Sequence, residues 1–483
     1  MKLKMASWVV GVVVGAVSLA ELPCLVLAIA LAEPALPFAV SMLSGLALMA
    51  VLFLIARRER ESLDHRSAFL VVTLGWVSAC VVGGLPFIYH PALELSLLDA
   101  FFEASSGFTT TGATVLSGLD DMPRSVLLWR SLTHWLGGMG IVLLGVAVLP
   151  VLGVGGMQLF KAESPGPTKD KLTPRVAETA KVLWLLYLGL TVAAAALLYA
   201  SGMPLFDAIC HAMATLSTGG FSTHDASLGH YSSGLIHTVT SVFMLLGGCS
   251  FLVLYRTLTS GLRWGESPEL RAYVGIFVCT AALIGVDLRL HMSAEYPTLS
   301  AAADHAIFQT ASILTTTGFS TRDFASWPFL SHGLLVLLFF IGGMAGSTGG
   351  GIKVVRVVLF AKLAFVQFFR LVHPRGVVTI KLGASTVEDD VLLGVLGFIA
   401  MWMLLLGAGT VLLAMFGSDL ITAASAAAVT LGNIGPGFGD AGPTHTFAPF
   451  SAPAKLVMSL LMILGRLEVF AVLVVLTPGF WRQ

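Results

Sequence analysis

A chain of 483 residues with 56% hydrophobic content, 11% charged residues and a mean hydropathy of +0.90 is too apolar for an ordinary water-soluble domain. Its 27 basic and 27 acidic residues cancel, which excludes both a basic field for nucleic acid and an acidic tail. The composition predicts an all-α polytopic membrane protein.

Lys2 and Lys4 open an apolar run over about 6–32 that resembles a secretory signal in its first half. It is long enough to cross a bilayer at roughly 20 residues per crossing, so it reads as a retained first helix, kinked near Pro23. Glu21 within it reads as part of the kink, its carboxylate snorkelling outward. A second run over 36–56 ends in Arg57, Arg58 and Arg60, and the two make an N-terminal transmembrane hairpin, 1–62.

From there a unit recurs roughly every 100 residues. Each unit holds a span, a short amphipathic half-helix, a polar glycine loop and a second span, and the units divide the chain at 63–160, 161–264, 265–385 and 386–483. In the first, these parts fall at 67–88, 95–107, 109–114 and 125–149. The loops are Thr110-Thr111-Gly112, Thr218-Gly219-Gly220, Thr316-Thr317-Gly318 and Asn433-Ile434-Gly435. Backbone without helical partners is tolerated inside a membrane only where it is buried or lines water, so four such loops predict the lining of a pore. Glu103, His211 and Gln309 each stand nine residues before their loop glycine, and Asp99, Asp207, Asp304 and Asp419 read as half-helix caps. Glu103 reads as a cap or brace, and His134 and His211 as hydrogen-bonded packing residues.

The second spans carry small residues at matching places: Gly137-Gly138, Gly247-Gly248, Gly342-Gly343, and Gly465 followed by Arg466. In the third unit six glycines, among them Gly346, Gly349, Gly350 and Gly351, crowd 342–351, too many for a stable helix at about 1 kcal/mol each. This predicts a flexible interruption able to lie across the pore. Arg466 is expected to face the bundle interior, bond that loop and repel cations in the closed state. An ion pair with Glu468 is the alternative, disfavoured because two residues of spacing put the side chains on different helix faces.

Basic residues gather on one side of the spans, at Arg57 to Arg66, in a linker over 156–175, at Arg256 to Arg271 and from Lys362 to Lys381. Both termini are therefore expected in the cytoplasm and the glycine loops toward the outside. The five cysteines lie in apolar runs with no Cys-x-x-Cys and no Cys/His clustering, so neither disulfides nor a transition metal is expected.

A cation shedding water needs oxygens in replacement, which a ring of backbone carbonyls supplies. Glycine permits the backbone turn, and threonine hydroxyls can face the ion or brace the loop. Half-helices aiming their carboxyl ends at the centre add negative potential.

The run Phe102-Glu103-Ala104-Ser105-Ser106-Gly107-Phe108-Thr109-Thr110-Thr111-Gly112, its echoes at 217–223 and 314–321 and the glycine break at 342–351 resemble the Trk/Ktr/HKT superfamily of potassium transporters. The added first hairpin resembles its bacterial TrkH branch. The resemblance implies potassium uptake across the bacterial cytoplasmic (inner) membrane, K+ held at the four loops as selectivity filter, a homodimer in membrane lipid, and a cytoplasmic nucleotide-binding subunit of the TrkA type as gate. It implies no cofactor beyond the transported ion. Asn433 and Ile434 depart from the threonine-rich pattern, which puts strict four-fold equivalence in question. A sodium-selective or sodium/proton-coupled transporter of the same architecture is the alternative. An intramembrane enzyme would need a nucleophile and base or a metal cluster, and no His-Glu-x-x-His or Gly-x-Ser-x-Gly occurs.

Overall fold

The computed structural model describes residues 3–56, 65–147, 172–261, 267–374, 378–383 and 385–482. The linker expected over 156–175 falls outside them up to 171, as do Arg57, Arg58, Arg60, Lys161, Lys169, Lys171, Arg263 and Arg375.

The first span is α1 (Leu3–Ala20) and α2 (Leu22–Ala30), broken at Glu21 just ahead of Pro23. Glu21 does not snorkel: it is fully buried, and Ser41 Oγ of α3 (Leu36–Ala56) donates to it at 2.9 Å. A hydroxyl partner inside the bundle replaces the interfacial water that snorkelling would seek.

Four units follow. The first is α4 (His65–Tyr89), half-helix α5 (Leu97–Phe108) and α6 (Arg124–Ala147). The second is α7 (Leu172–Ala200), half-helix α8 (Leu205–Leu216), α9 (Gly234–Gly247) and α10 (Phe251–Ser260). The third is α11 (Pro268–His291), half-helix α12 (Leu299–Leu314), α13 (Phe329–Phe339) and α14 (Val354–Val372). The fourth is α15 (Asp389–Met415), half-helix α16 (Leu420–Leu431), α17 (Ala452–Arg466) and α18 (Phe470–Leu476). Between the third and fourth units a minimal hairpin pairs Lys381–Leu382 with Ser385–Thr386.

Twelve residues of helix reach only ~18 Å and the sixteen of α12 ~24 Å, too short for a hydrocarbon core of about 30 Å, so the half-helices end inside it. They form the innermost layer: α16 is buried almost all round, as an apolar, alanine-rich helix must be. Outside them, six described helices are long and apolar enough to cross a membrane, or eight when two bent pairs are each counted as one span. Their outer faces expose large apolar side chains such as Leu54, Leu290 and Leu404.

The sequence predicts one broken second span, in the third unit; among the described residues three are broken. The α9/α10 pair bends by 99° and the α17/α18 pair by 116°. The second break falls at Glu468 and Val469, both with positive φ, 56° and 57°. That conformation is costly for a β-branched residue. It is held from outside the unit: Arg356 of α14 reaches Glu468 at 2.6 Å and stacks 4.0 Å over Phe398. Glu468 thus pairs with Arg356 rather than with Arg466.

Candidate functional site

All four half-helices end in one backbone motif. Thr111 N donates to Ser106 O at 2.9 Å, Gly219 N to Ala214 O at 2.8 Å, Thr317 N to Ser312 O at 2.8 Å and Ile434 N to Val429 O at 2.8 Å. This six-to-one bond needs a left-handed residue just before its donor, normally glycine. Here it is Thr110, Thr218, Thr316 and Asn433, with φ between 52° and 59°. A side chain in that region costs roughly 1 kcal/mol or more, so the surrounding packing must impose it.

Two residues later stand Gly112, Gly220, Gly318 and Gly435, with φ of 83°, 81°, 85° and 96°. Each presses on the next loop. A Cβ on Gly112 would collide with Gly219 O, one on Gly220 with Thr317 O, one on Gly318 with Ile434 O, and one on Gly435 with Thr111 O. In every case the obstacle is the carbonyl of the residue before the neighbour's glycine. The loops form a closed cycle, with the four half-helix carboxyl ends directed at it and their negative dipole ends nearby.

The hydroxyls of Thr111 and Thr317 brace rather than face inward, bonding Thr109 Oγ1 at 2.8 Å and Thr315 Oγ1 at 2.7 Å. Asn433 fits the same backbone as the threonines, and its Nδ2 donates to Thr111 Oγ1 at 3.0 Å and to Met462 O at 2.9 Å. The fourth loop therefore differs in side chain but not in backbone. Ile434 is fully buried and contributes its carbonyl to the cycle.

The polar residues nine before each glycine hold the strand leaving their own loop. Glu103 accepts from Thr114 Oγ1 at 2.9 Å and Val115 N at 3.0 Å, His211 Nε2 meets Ser222 Oγ at 3.0 Å, and Gln309 Nε2 donates to Phe319 O at 3.5 Å. In the fourth unit Ser425 takes this part, accepting from Phe438 N at 2.6 Å. His134 is a packing residue, bonded through Nδ1 to Gly107 O at 2.8 Å and stacked on Phe221.

The expected caps are corrected at three of four positions. Asp419 caps α16, accepting from Ile421 N and Thr422 N. The other half-helices begin at Ser96, Pro204 and Thr298, which leaves Asp99 and Asp207 in the first turn and Asp304 deeper. These carboxylates join elements instead: Asp99 pairs with Lys455 of α17 at 2.6 Å, Asp207 accepts from Thr223 Oγ1 at 2.8 Å, and Asp304 meets His237 at 3.2 Å.

Above the cycle a cavity of about 260 Å³ is lined by Gly112, Gly220, Gly318 and Gly435 and by residues of the strands that leave the loops. Its wall includes Arg130 of α6, which sequence reasoning missed. Arg130 is buried against Glu103 at 2.8 Å, donates to Ser222 O at 2.9 Å and lies 4.1 Å over Phe221. The guanidinium is thereby neutralised and spent on positioning the second loop.

Beneath the cycle, residues 340–353 cross from α13 to α14 without helix, turning at Gly342, Gly346 and Gly351, where φ is 78°, 75° and 73°. The crossing touches three glycine loops or their half-helices. Thr348 Oγ1 donates to Leu216 O at 2.9 Å, Gly350 N donates to Thr316 Oγ1 at 2.7 Å, and a Cβ on Gly350 would strike Gly432 O. Lys353 Nζ bonds back to Gly349 O. Arg466 completes the layer, donating to Thr348 O at 2.6 Å and to Gly137 O of α6 at 3.1 Å. Gly137 and Gly465 let their spans press on the Phe108 and Leu431 carbonyls, places where a Cβ would collide. Two cations, Lys353 and Arg466, thus lie buried against carbonyls of the crossing. Lys353 was not anticipated, because nothing local in its sequence separates it from an interfacial lysine.

The family model described as TrkH, Cation transport protein, matches residues 39–262 and 282–480. The Trk system potassium uptake protein TrkH of Vibrio parahaemolyticus is 46% identical over 432 residues, 88% of each chain. TrkH of Escherichia coli K12 is 44% identical over 444 residues, 91% of each, and TrkG of the same strain 36% identical over 433 residues, 88% of each. The crystal structure of the potassium transporter TrkH from Vibrio parahaemolyticus aligns with a TM-score of 0.92 at 40% identity, covering the whole of both chains.

Proposed function

Because the chain belongs to the TrkH family of cation transport proteins, we propose that it conducts potassium inward across a bacterial cytoplasmic membrane through the ring of four glycine loops. The observation that carries this reading is the closed cycle in which each loop glycine rests on the next loop's carbonyl. Such a ring offers several carbonyl oxygens at one level, in place of the water that an entering cation gives up. The half-helix ends add negative potential there, while the potential below the ring is reversed by Lys353 and Arg466. Thr110, Thr111, Gly112, Thr218, Gly219, Gly220, Thr316, Thr317, Gly318, Asn433, Ile434 and Gly435 are the proposed filter, whose carbonyls take the ion while the Thr111 and Thr317 hydroxyls hold the backbone.

The crossing 340–353, with Gly346, Gly349, Gly350, Gly351 and Arg466, is the proposed gate. Its support is that one short segment bonds to the end of half-helix α8, to the third loop and to α17, so its displacement would clear the axis without moving the spans. The gate is proposed to answer to a TrkA-type cytoplasmic subunit on a homodimer with both termini in the cytoplasm, in keeping with relatives named as parts of a Trk system.

Purified chain in liposomes under opposed potassium and sodium gradients tests the reading. Current reversing toward the potassium equilibrium potential is the expected result. Reversal at the sodium potential would establish the sodium-selective alternative, and the absence of any current with or without the partner subunit would overturn the proposal.

A further inference from the structure

Folding assembles a cluster that the linear sequence conceals. Asp120 lies between α5 and α6, and His224 and His230 lie between α8 and α9, yet one donor atom from each falls within 4.8 Å of the others. His224 Nδ1 is 2.5 Å and His230 Nδ1 3.8 Å from the same Asp120 Oδ1. The two imidazoles stack in parallel, 3.6 Å between centroids and 5° apart, so that both turn the same edge toward one carboxylate.

The groups behind these atoms are also in place. His224 Nε2 faces Tyr231 OH at 3.2 Å and Asp207 Oδ2 at 3.5 Å, and Tyr231 OH donates to Asp207 Oδ2 at 3.0 Å. With the imidazole proton on Nε2, directed at this pair, the Nδ1 lone pair is free to bind. A carboxylate behind a histidine is the usual outer support of a metal-bound imidazole. Asp120 is supported in turn: its Oδ2 accepts from Asp225 N at 3.4 Å.

We propose that Asp120, His224 and His230 form a site for a divalent transition metal of the zinc class on the rim of the vestibule, with water as the fourth ligand. Two nitrogens and one oxygen suit zinc, cobalt or nickel and are poor ligands for magnesium or calcium. Tetrahedral zinc with bonds near 2 Å sets its ligands roughly 3.3 Å apart, so His224 and Asp120 need separate by less than ~1 Å, and the two stacked rings must splay so that each in-plane Nδ1 lone pair meets the ion. Asp120 and His230 are both on the surface, where loops can make that adjustment. The bound ion joins the segment after the first glycine loop to the segment after the second. It also sets two positive charges beside the vestibule wall to which His224 belongs.

The test is calorimetric titration of the chelator-washed, detergent-purified chain with zinc chloride, repeated with cobalt(II) and read by its visible absorption. One ion per chain is expected, with the intense bands of a tetrahedral nitrogen and oxygen site and no competition from magnesium. His230→Ala and Asp120→Asn should each weaken binding at least about tenfold, and the exposure of both residues keeps the fold intact, checked by thermal unfolding without metal. Absence of saturable binding, or affinity in both variants equal to that of the parent, would overturn the site. The assay reads no ion flux, so its outcome is independent of the transport reading.

Discussion

Arg466→Ala offers the most direct test of the gate. The guanidinium makes two bonds to carbonyls, one to Thr348 in the crossing and one to Gly137 in α6. Only the first is lost when the crossing moves aside, since α6 and α17 are both spans of the frame. A hydrogen bond to a charged group contributes about 1.5–3 kcal/mol. Taking ~2 kcal/mol as the part specific to the closed arrangement, its removal shifts the closed-to-open ratio roughly 30-fold. The variant also lifts a positive charge from the axis, which favours conduction further. Single-channel recording in bilayers should show higher open probability, or higher conductance if the charge itself is the barrier. Arg466→Lys keeps the charge and still has an N–H for Thr348 O, so it should largely retain the barrier. Unchanged potassium flux in Arg466→Ala, with and without the cytoplasmic partner and in protein that elutes as the parent does, would refute the reasoning and leave the residue structural.

Gly318→Ser puts a side chain where φ is 85° and where a Cβ meets Ile434 O; potassium preference should fall, measured as a shift in bi-ionic reversal potential, and an unchanged ratio removes Gly318 from the filter. Deleting three or four residues from 342–351 should raise resting flux; flux at or below the parent level in inserted, dimeric protein counts against a gating crossing. Glu103→Gln leaves the buried Arg130 guanidinium without its counter-ion and should cost about 3–5 kcal/mol, seen as a lower unfolding temperature in detergent. The double variant Glu103→Leu, Arg130→Met should recover much of that loss, and no recovery would mean that the pair contributes more than mutual neutralisation.

What could be read in the sequence was what repeats. Glycines with hydroxyl neighbours, a polar residue nine places earlier and small residues in each second span recur in register, and all follow from local backbone demands. Contacts between units leave no such trace. The bend at Glu468 and Val469 contains no glycine; it is secured by Arg356, more than a hundred residues away, and nothing nearby in the chain announces it. Arg130 looks like any arginine in a span until folding sets it on Glu103 and Ser222. Asp99 looks like a cap because it opens an amphipathic run, but Ser96 already caps α5, and the carboxylate is left to meet Lys455. Asn433 looked like a flaw in the pattern because only its side chain, and not its φ of 54°, can be read from sequence.

A hoop made from a single thread has one joint that the thread does not cross. Here it falls between the last unit and the first, while every other joint has covalent chain running through it. That joint carries its own stitching: Lys455 to Asp99 at the rim, Phe447 N to Thr114 O at 2.8 Å, and Asn433 Nδ2 to Thr111 Oγ1 at the level of the ring. The odd residue of the fourth loop is therefore part of the clasp. A threonine there could not reach across, and a sideways load on the hoop would part this joint first, since no tether limits how far its two sides can separate.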